Sequence, residues 1–191
     1  MHRTCRLASI ALTVFLISAT CGQTQETNLY PKSHLELFEE RTGIVLIRGT
    51  ADIGVVPGQN GSVTVKLRET KDMSLNQREY GVIISVASGN GGEGSTYVDY
   101  DELGALIQNL DYVSKVDWAY TSLMHFDASY TTRAGFKVLT YSSRRSGLIE
   151  GAVVSYGLSR SRASLSIAQL GQLRITLDLA KTKIEDLQKS K

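Results

Sequence analysis

The segment L-G-A-L-I-Q-N-L-D at Leu103–Asp111 returns as L-G-Q-L-R-I-T-L-D at Leu170–Asp178, 67 residues later and with no gap. Leu103/Leu170, Gly104/Gly171, Leu106/Leu173, Leu110/Leu177 and Asp111/Asp178 are identical pairs. The apolar members recur at i, i+3 and i+7, the spacing of one face of a helix. An internal repeat of this kind requires the chain to be read as two copies of one supersecondary unit.

Each copy of the helix follows β-rich sequence. In the first unit, short apolar runs at Ile44–Ile47 and Ile53–Val56 precede Pro57-Gly58 and Asn60-Gly61, both strong turn signals. Val63, Val65 and Leu67 then alternate with polar residues, as do Tyr80, Val82, Ile84 and Val86, and each set predicts a half-buried strand. The stretch S-G-N-G-G-E-G-S at Ser88–Ser95 reads as a mobile, hairpin-like loop. A helix is predicted over Asp99–Val116, with Leu103, Leu106, Ile107, Leu110 and Val113 inward and Asp99, Asp101 and Glu102 capping its start. In the second unit the predicted strands carry Phe126/Ala128/Tyr130, Phe136/Val138/Thr140, Leu148–Tyr156 and Ala163–Ile167. A closing helix runs from Ala168 to Lys189, with Leu170, Leu173, Leu177, Ala180, Ile184 and Leu187 inward. The predicted fold is α+β: two tandem ββββα-like repeats, about residues 35–118 and 119–191, whose curved antiparallel sheets are each packed by one helix.

The N-terminus reads as an export signal over residues 1–22. Arg3 and Arg6 precede an uncharged, mostly apolar run from Leu7 to Ala19, and small residues follow at Ser18–Thr20. Cleavage near Cys21–Gln25 is favoured. The lipoprotein-like box Ser18-Ala19-Thr20-Cys21 departs from the usual pattern at two positions, which makes a lipid anchor at Cys21 the lesser alternative. Residues 23–34 then form a polar, flexible leader. The expected location is periplasmic or extracellular, with no membrane span after processing. Cys5 lies in the signal and Cys21 at its edge, so the processed chain is expected to rely on its hydrophobic core rather than on an internal disulfide.

The full chain has 21 basic and 19 acidic residues, and loss of Arg3 and Arg6 leaves it neutral. The balance is uneven: residues 23–118 carry 8 Lys/Arg against 14 Asp/Glu, and residues 119–191 carry 11 against 5. Two readings follow. The repeats pack with complementary surfaces, or the second repeat presents a basic binding face.

The layout over residues 35–190 resembles the PUR-repeat and Whirly families, most clearly in the strand Tyr80–Val86, the loop after it and the helix Tyr100–Tyr112. The resemblance implies tandem ββββα units. It also implies binding of single-stranded nucleic acid through basic and aromatic residues on a sheet.

No motif for chemistry stands out. His34 and His125 lie far apart in sequence, without metal-ligand spacing, so neither a metal nor another cofactor is expected. There is no G-x-S-x-G elbow and no phosphate-loop lysine in the glycine-rich stretch. Glu150 alternates with Leu148, Ala152 and Val154, so a hydrolase using Glu150, or the Asp99/Asp101/Glu102 group, is the third reading of function. The candidate ligand-binding residues are Arg133, Lys137, Arg144, Arg145, Arg160 and Arg162, with Tyr141 and Tyr156 as stacking platforms. Arg174 belongs to the same basic set and Tyr130 to the same aromatic one. The leading expectation is a non-catalytic exported binding or interaction module for an envelope or extracellular partner. Single-stranded nucleic acid or another anionic polymer is the alternative, and export and the neutral processed charge weigh against nucleic acid.

Overall fold

The computed structural model describes residues 30–142, 147–157 and 160–190. It contains two four-stranded antiparallel sheets, each followed by a helix. The first sheet is β1 (Leu46–Pro57), β2 (Ser62–Asp72), β3 (Arg78–Ala87) and β4 (Glu93–Asp99), in that spatial order. A short helix, α1 (His34–Glu39), precedes it and α2 (Tyr100–Ser114) follows it. The second sheet is β5 (Asp127–Thr131), β6 (Phe136–Ser142), β7 (Ile149–Ser155) and β8 (Ser161–Leu165), closed by α3 (Ile167–Lys189). The 67-residue offset is exact at the helix starts, Tyr100 and Ile167. In the sheets it holds for the strand before each helix, at Val98 and Leu165, whose partners Val82 and Gly151 stand 69 residues apart.

The helices are exchanged between the units. α3 lies mainly along β1 and β2 of the first sheet, and α2 makes its larger sheet contact with β5 and β6 of the second. The two helices also pack on each other, while β3 and β4 meet β6, β7 and β8 directly. One core results, drawing on both inner sheet faces and both helices, with Val65, Ile84, Leu106, Phe136, Leu173 and Leu177 fully buried. Each such large side chain contributes on the order of 2 kcal/mol by leaving water. At β1 the approach is close: a side chain at Gly54 would place its Cβ 3.2 Å from Thr176 Cγ2 of α3. Buried Thr176 directs its hydroxyl to its own helix, donating to Gln172 O at 2.9 Å.

Three features differ from the sequence expectation. The runs Ile44–Ile47 and Ile53–Val56 contribute to a single long strand, β1, with a bulge between Asp52 and Gly54. The bulge inserts one residue and disguises the continuous alternation. Second, Ser88–Ser95 is only in part a loop. Ser88 N donates to Gly92 O in a tight hairpin turn, and β4 begins at Glu93. The inward positions of β4 are Gly94, Thr96 and Val98, so its buried face has almost no apolar signature. Third, the expected β-rich stretch from Leu35 opens with a helix. Ser33 caps α1, its Oγ accepting from Glu36 N at 3.0 Å, and Leu35 and Phe38 are buried. Tyr30 and Ser33, assigned by sequence to the leader, also pack on the body. Ser33 is fully buried, and Tyr30 lies 5.2 Å from Tyr156, ring centre to ring centre.

Candidate functional site

In a strand successive side chains point to opposite faces, so cross-strand register decides which candidates share a surface. On the second sheet the face turned from the core carries Lys137, Leu139 and Tyr141 of β6, their partners Val154, Ala152 and Glu150 of β7, and Arg162 and Ser164 of β8. Five candidates therefore gather on this face or at its end: Lys137, Tyr141 and Arg162 within the sheet, Tyr156 just after β7, and Arg160 just before β8.

Arg162 stands on the edge strand β8, yet its guanidinium is 5.4 Å from the centre of the Tyr141 ring on β6, so it reaches across β7. Ala152 and Val154 are buried although they face outward. The Tyr141 hydroxyl donates to Glu150 Oε2 at 3.2 Å. Burial and this carboxylate push the phenol of Tyr141 above its ordinary value, opposed by Arg162. At the end of the sheet Arg160 lies 5.3 Å over the Tyr156 ring, which also meets Tyr30. Among the described residues no carboxylate lies within 4 Å of the charged groups of Lys137, Arg160 or Arg162.

Other candidates fall elsewhere. Arg144 and Arg145 lie outside the described residues. Tyr130 pairs with Val138 and faces inward, where it packs against the core. The parity of β5 thus removes it from the shared platform that sequence suggested. Arg174 sits on α3. Arg133, in the β5–β6 turn, is already neutralised: its guanidinium is 3.2 Å from Asp99 Oδ2 and 3.6 Å from Asp101 Oδ2.

The acidic group at the start of α2 is a structural junction. Asp99 is the N-cap residue of α2, but its side chain does not cap that helix. It accepts instead from His34 N at 2.8 Å and Leu35 N at 2.9 Å, holding the start of α1. Glu102 Oε1 accepts from Arg133 N at 2.7 Å, and burial pushes the Glu102 carboxyl above its usual range, opposed by that bond. His34, Asp99 and Asp101 bring one potential metal-ligand atom each within 4.8 Å of one another. The cationic place beside them is taken by Arg133, whose Nη1 is also 3.4 Å from His34 Nδ1. The adjoining cleft, of about 280 Å³, is lined in part by Tyr80 and Gln188.

A second charged cluster, missed by sequence reasoning, fixes α1 to the outer face of the first sheet. Glu39 takes Arg68 Nε at 2.7 Å and Nη2 at 3.2 Å, the Thr70 hydroxyl at 2.5 Å and Arg48 Nε at 3.4 Å. Burial pushes its pKa up, but these partners outweigh it and hold the carboxyl below the ordinary range. The Ser33-x-x-Glu36 capping pattern was the available signal for α1. The outer face of the first sheet is thus partly covered by its own helix. Among the described residues no helix or strand covers that of the second.

No protein-family model matches the chain, and no curated protein matches it either. No helix among the described residues is long and apolar enough to cross a membrane.

Proposed function

We propose that this chain is an exported, non-catalytic binding module whose contact surface is the outer face of the second sheet. The observation that carries the reading is the set Lys137, Tyr141 and Arg162 on one sheet face, continued by Arg160 and Tyr156, with no helix or strand among the described residues over it. Two of these cations, Arg160 and Arg162, lie over aromatic rings and have no carboxylate within 4 Å among the described residues, which makes the face attractive to a polar or anionic partner. The acids offered for catalysis serve other ends: Asp99 holds α1 and Arg133, Glu102 holds the Arg133 amide, and Glu150 accepts from Tyr141. Resemblance to PUR-repeat and Whirly layouts supports a sheet-face mode of binding, although fold alone does not define a function. Export rests on Arg3, Arg6 and the run Leu7–Ala19.

The test is site-specific photo-crosslinking in the native host. A photoreactive residue replacing Leu139, at the centre of the second outer face, is expected to form a discrete adduct. The same residue replacing Val55, on the outer face of the first sheet, is the control and is expected to form none. No adduct at position 139, or equal adducts at both positions, would remove this assignment.

A further inference from the structure

Resting on that reading of the second sheet, we infer that its ligand is an acidic polysaccharide, a chain of sugars bearing carboxylate or sulfate groups. Three features of the face decide between this and single-stranded nucleic acid. First, the aromatic rings are already occupied. Arg162 lies over Tyr141, and Tyr156 contacts both Arg160 and Tyr30. Sequence-tolerant nucleic-acid binding needs open ring faces on which bases stack. Here the rings support guanidinium groups, leaving the forked N–H edges to meet carboxylate or sulfate oxygens in pairs.

Second, the face is mixed in charge along its length. Lys137 lies toward one end, with Arg160 beyond it, while Asp127 and Glu150 flank Tyr141 toward the other, where the Arg162 guanidinium also reaches. Carboxylates repel a phosphate backbone, whose charge is continuous. They suit a polymer that alternates anionic groups with hydroxyl donors, because a carboxylate accepts several hydrogen bonds. Third, Ser129 of β5 and Ser164 of β8 stand in the middle row of the same face, with Thr131 beside Lys137, and add neutral hydroxyls. The Arg160 and Arg162 guanidinium groups lie over different rings, Tyr156 and Tyr141, and so offer separate anionic contacts along an extended polymer.

The experiment measures binding of the full processed chain to polygalacturonate, to neutral dextran and to an oligothymidylate, each at a series of salt concentrations. Polygalacturonate is expected to bind with an affinity that falls with salt, and dextran to bind negligibly. The oligothymidylate is expected to bind more weakly than polygalacturonate at equal charge. Combined Lys137→Ala, Arg160→Ala and Arg162→Ala substitution is expected to weaken polygalacturonate binding about tenfold or more without changing the thermal unfolding midpoint greatly. Tighter binding of oligothymidylate would overturn the inference in favour of nucleic acid. Affinity within about twofold of the parent in the triple variant would overturn it by moving the site elsewhere. Absence of polygalacturonate binding would overturn the ligand class; a persistent adduct at position 139 would then show that the face itself still binds a partner.

Discussion

Asp99 and Ser166 occupy the same position in the two units, 67 residues apart, and do different work. Ser166 caps its own helix: its Oγ accepts from Gln169 N at 3.2 Å, and Gln169 Oε1 accepts from Ser166 N at 2.7 Å, a reciprocal capping box. The corresponding pair in the first unit is Asp99 and Glu102. Both carboxylates point away from α2, Asp99 to the amides of α1 and Glu102 to the amide of Arg133 in the other unit. The local cap has been traded for long-range ties.

Substitution at the two positions should therefore differ in cost. Ser166→Ala loses a helix cap, about 1 kcal/mol. Asp99→Ala removes the acceptor of two amides and leaves Arg133 without its buried partner, and about 2–4 kcal/mol is expected. Urea denaturation of the two variants measures both. Equal costs would contradict the different roles.

Glu39 and Glu102 should give opposite pH signatures. The folded pKa of Glu39 is depressed, so its contribution is present above the unfolded carboxylate value and is lost as pH falls through the folded one. Glu39→Gln should cost about 1.5–3 kcal/mol at pH 7 and progressively less in acid. The folded pKa of Glu102 is raised, so its favourable linkage is present below the unfolded value and is lost as pH rises through the folded one. Glu102→Gln, which keeps an acceptor for Arg133 N, should raise the denaturation midpoint at neutral pH and change little in acid. Denaturation curves across pH 3–8 would reveal either signature or its absence.

Gly61 has φ of +100°, and a Cβ there would lie 2.0 Å from Ala87 O. The turn also joins the sheets: Gln59 N donates to Ser164 O and Ser164 N to Asn60 O. Gly61→Ala is expected to cost about 1–3 kcal/mol, measurable by thermal unfolding.

The exchanged helices predict that residues 30–118 do not fold alone. That fragment lacks α3, and Val63, Val65 and Leu67 of β2 would lose the helix that covers their side of the sheet. A cooperative unfolding transition for the isolated fragment would contradict the interlocked core.

Both long helices were legible because burial at 3.6-residue spacing leaves an apolar stripe: Leu103, Leu106, Leu110 and Val113 in one, Leu170, Leu173, Leu177 and Ile184 in the other. Strands β2, β3 and β6 were legible from alternation. β4 was hidden because glycine and threonine occupy inward positions, and α1 because six residues are too few to show a period. The basic face was half legible. Sequence named Lys137, Tyr141 and Arg162 among its candidates, but only the register put them on one face and excluded Tyr130, and only the fold showed Arg133 engaged by Asp99. Which unit each helix covers had no sequence signature, since the apolar stripes suit either sheet.

The interlocking of the two units bears on symmetry. Two identical chains exchanging helices in this way would form a two-fold dimer, with every surface necessarily present twice. Covalent continuity through residues 115–126 removes that constraint. One half is free to fold its outer sheet face partly beneath a helix, while among the described residues the other leaves the matching face without a helix or strand over it. The molecule has the internal economy of a homodimer and the asymmetry that only a single chain allows.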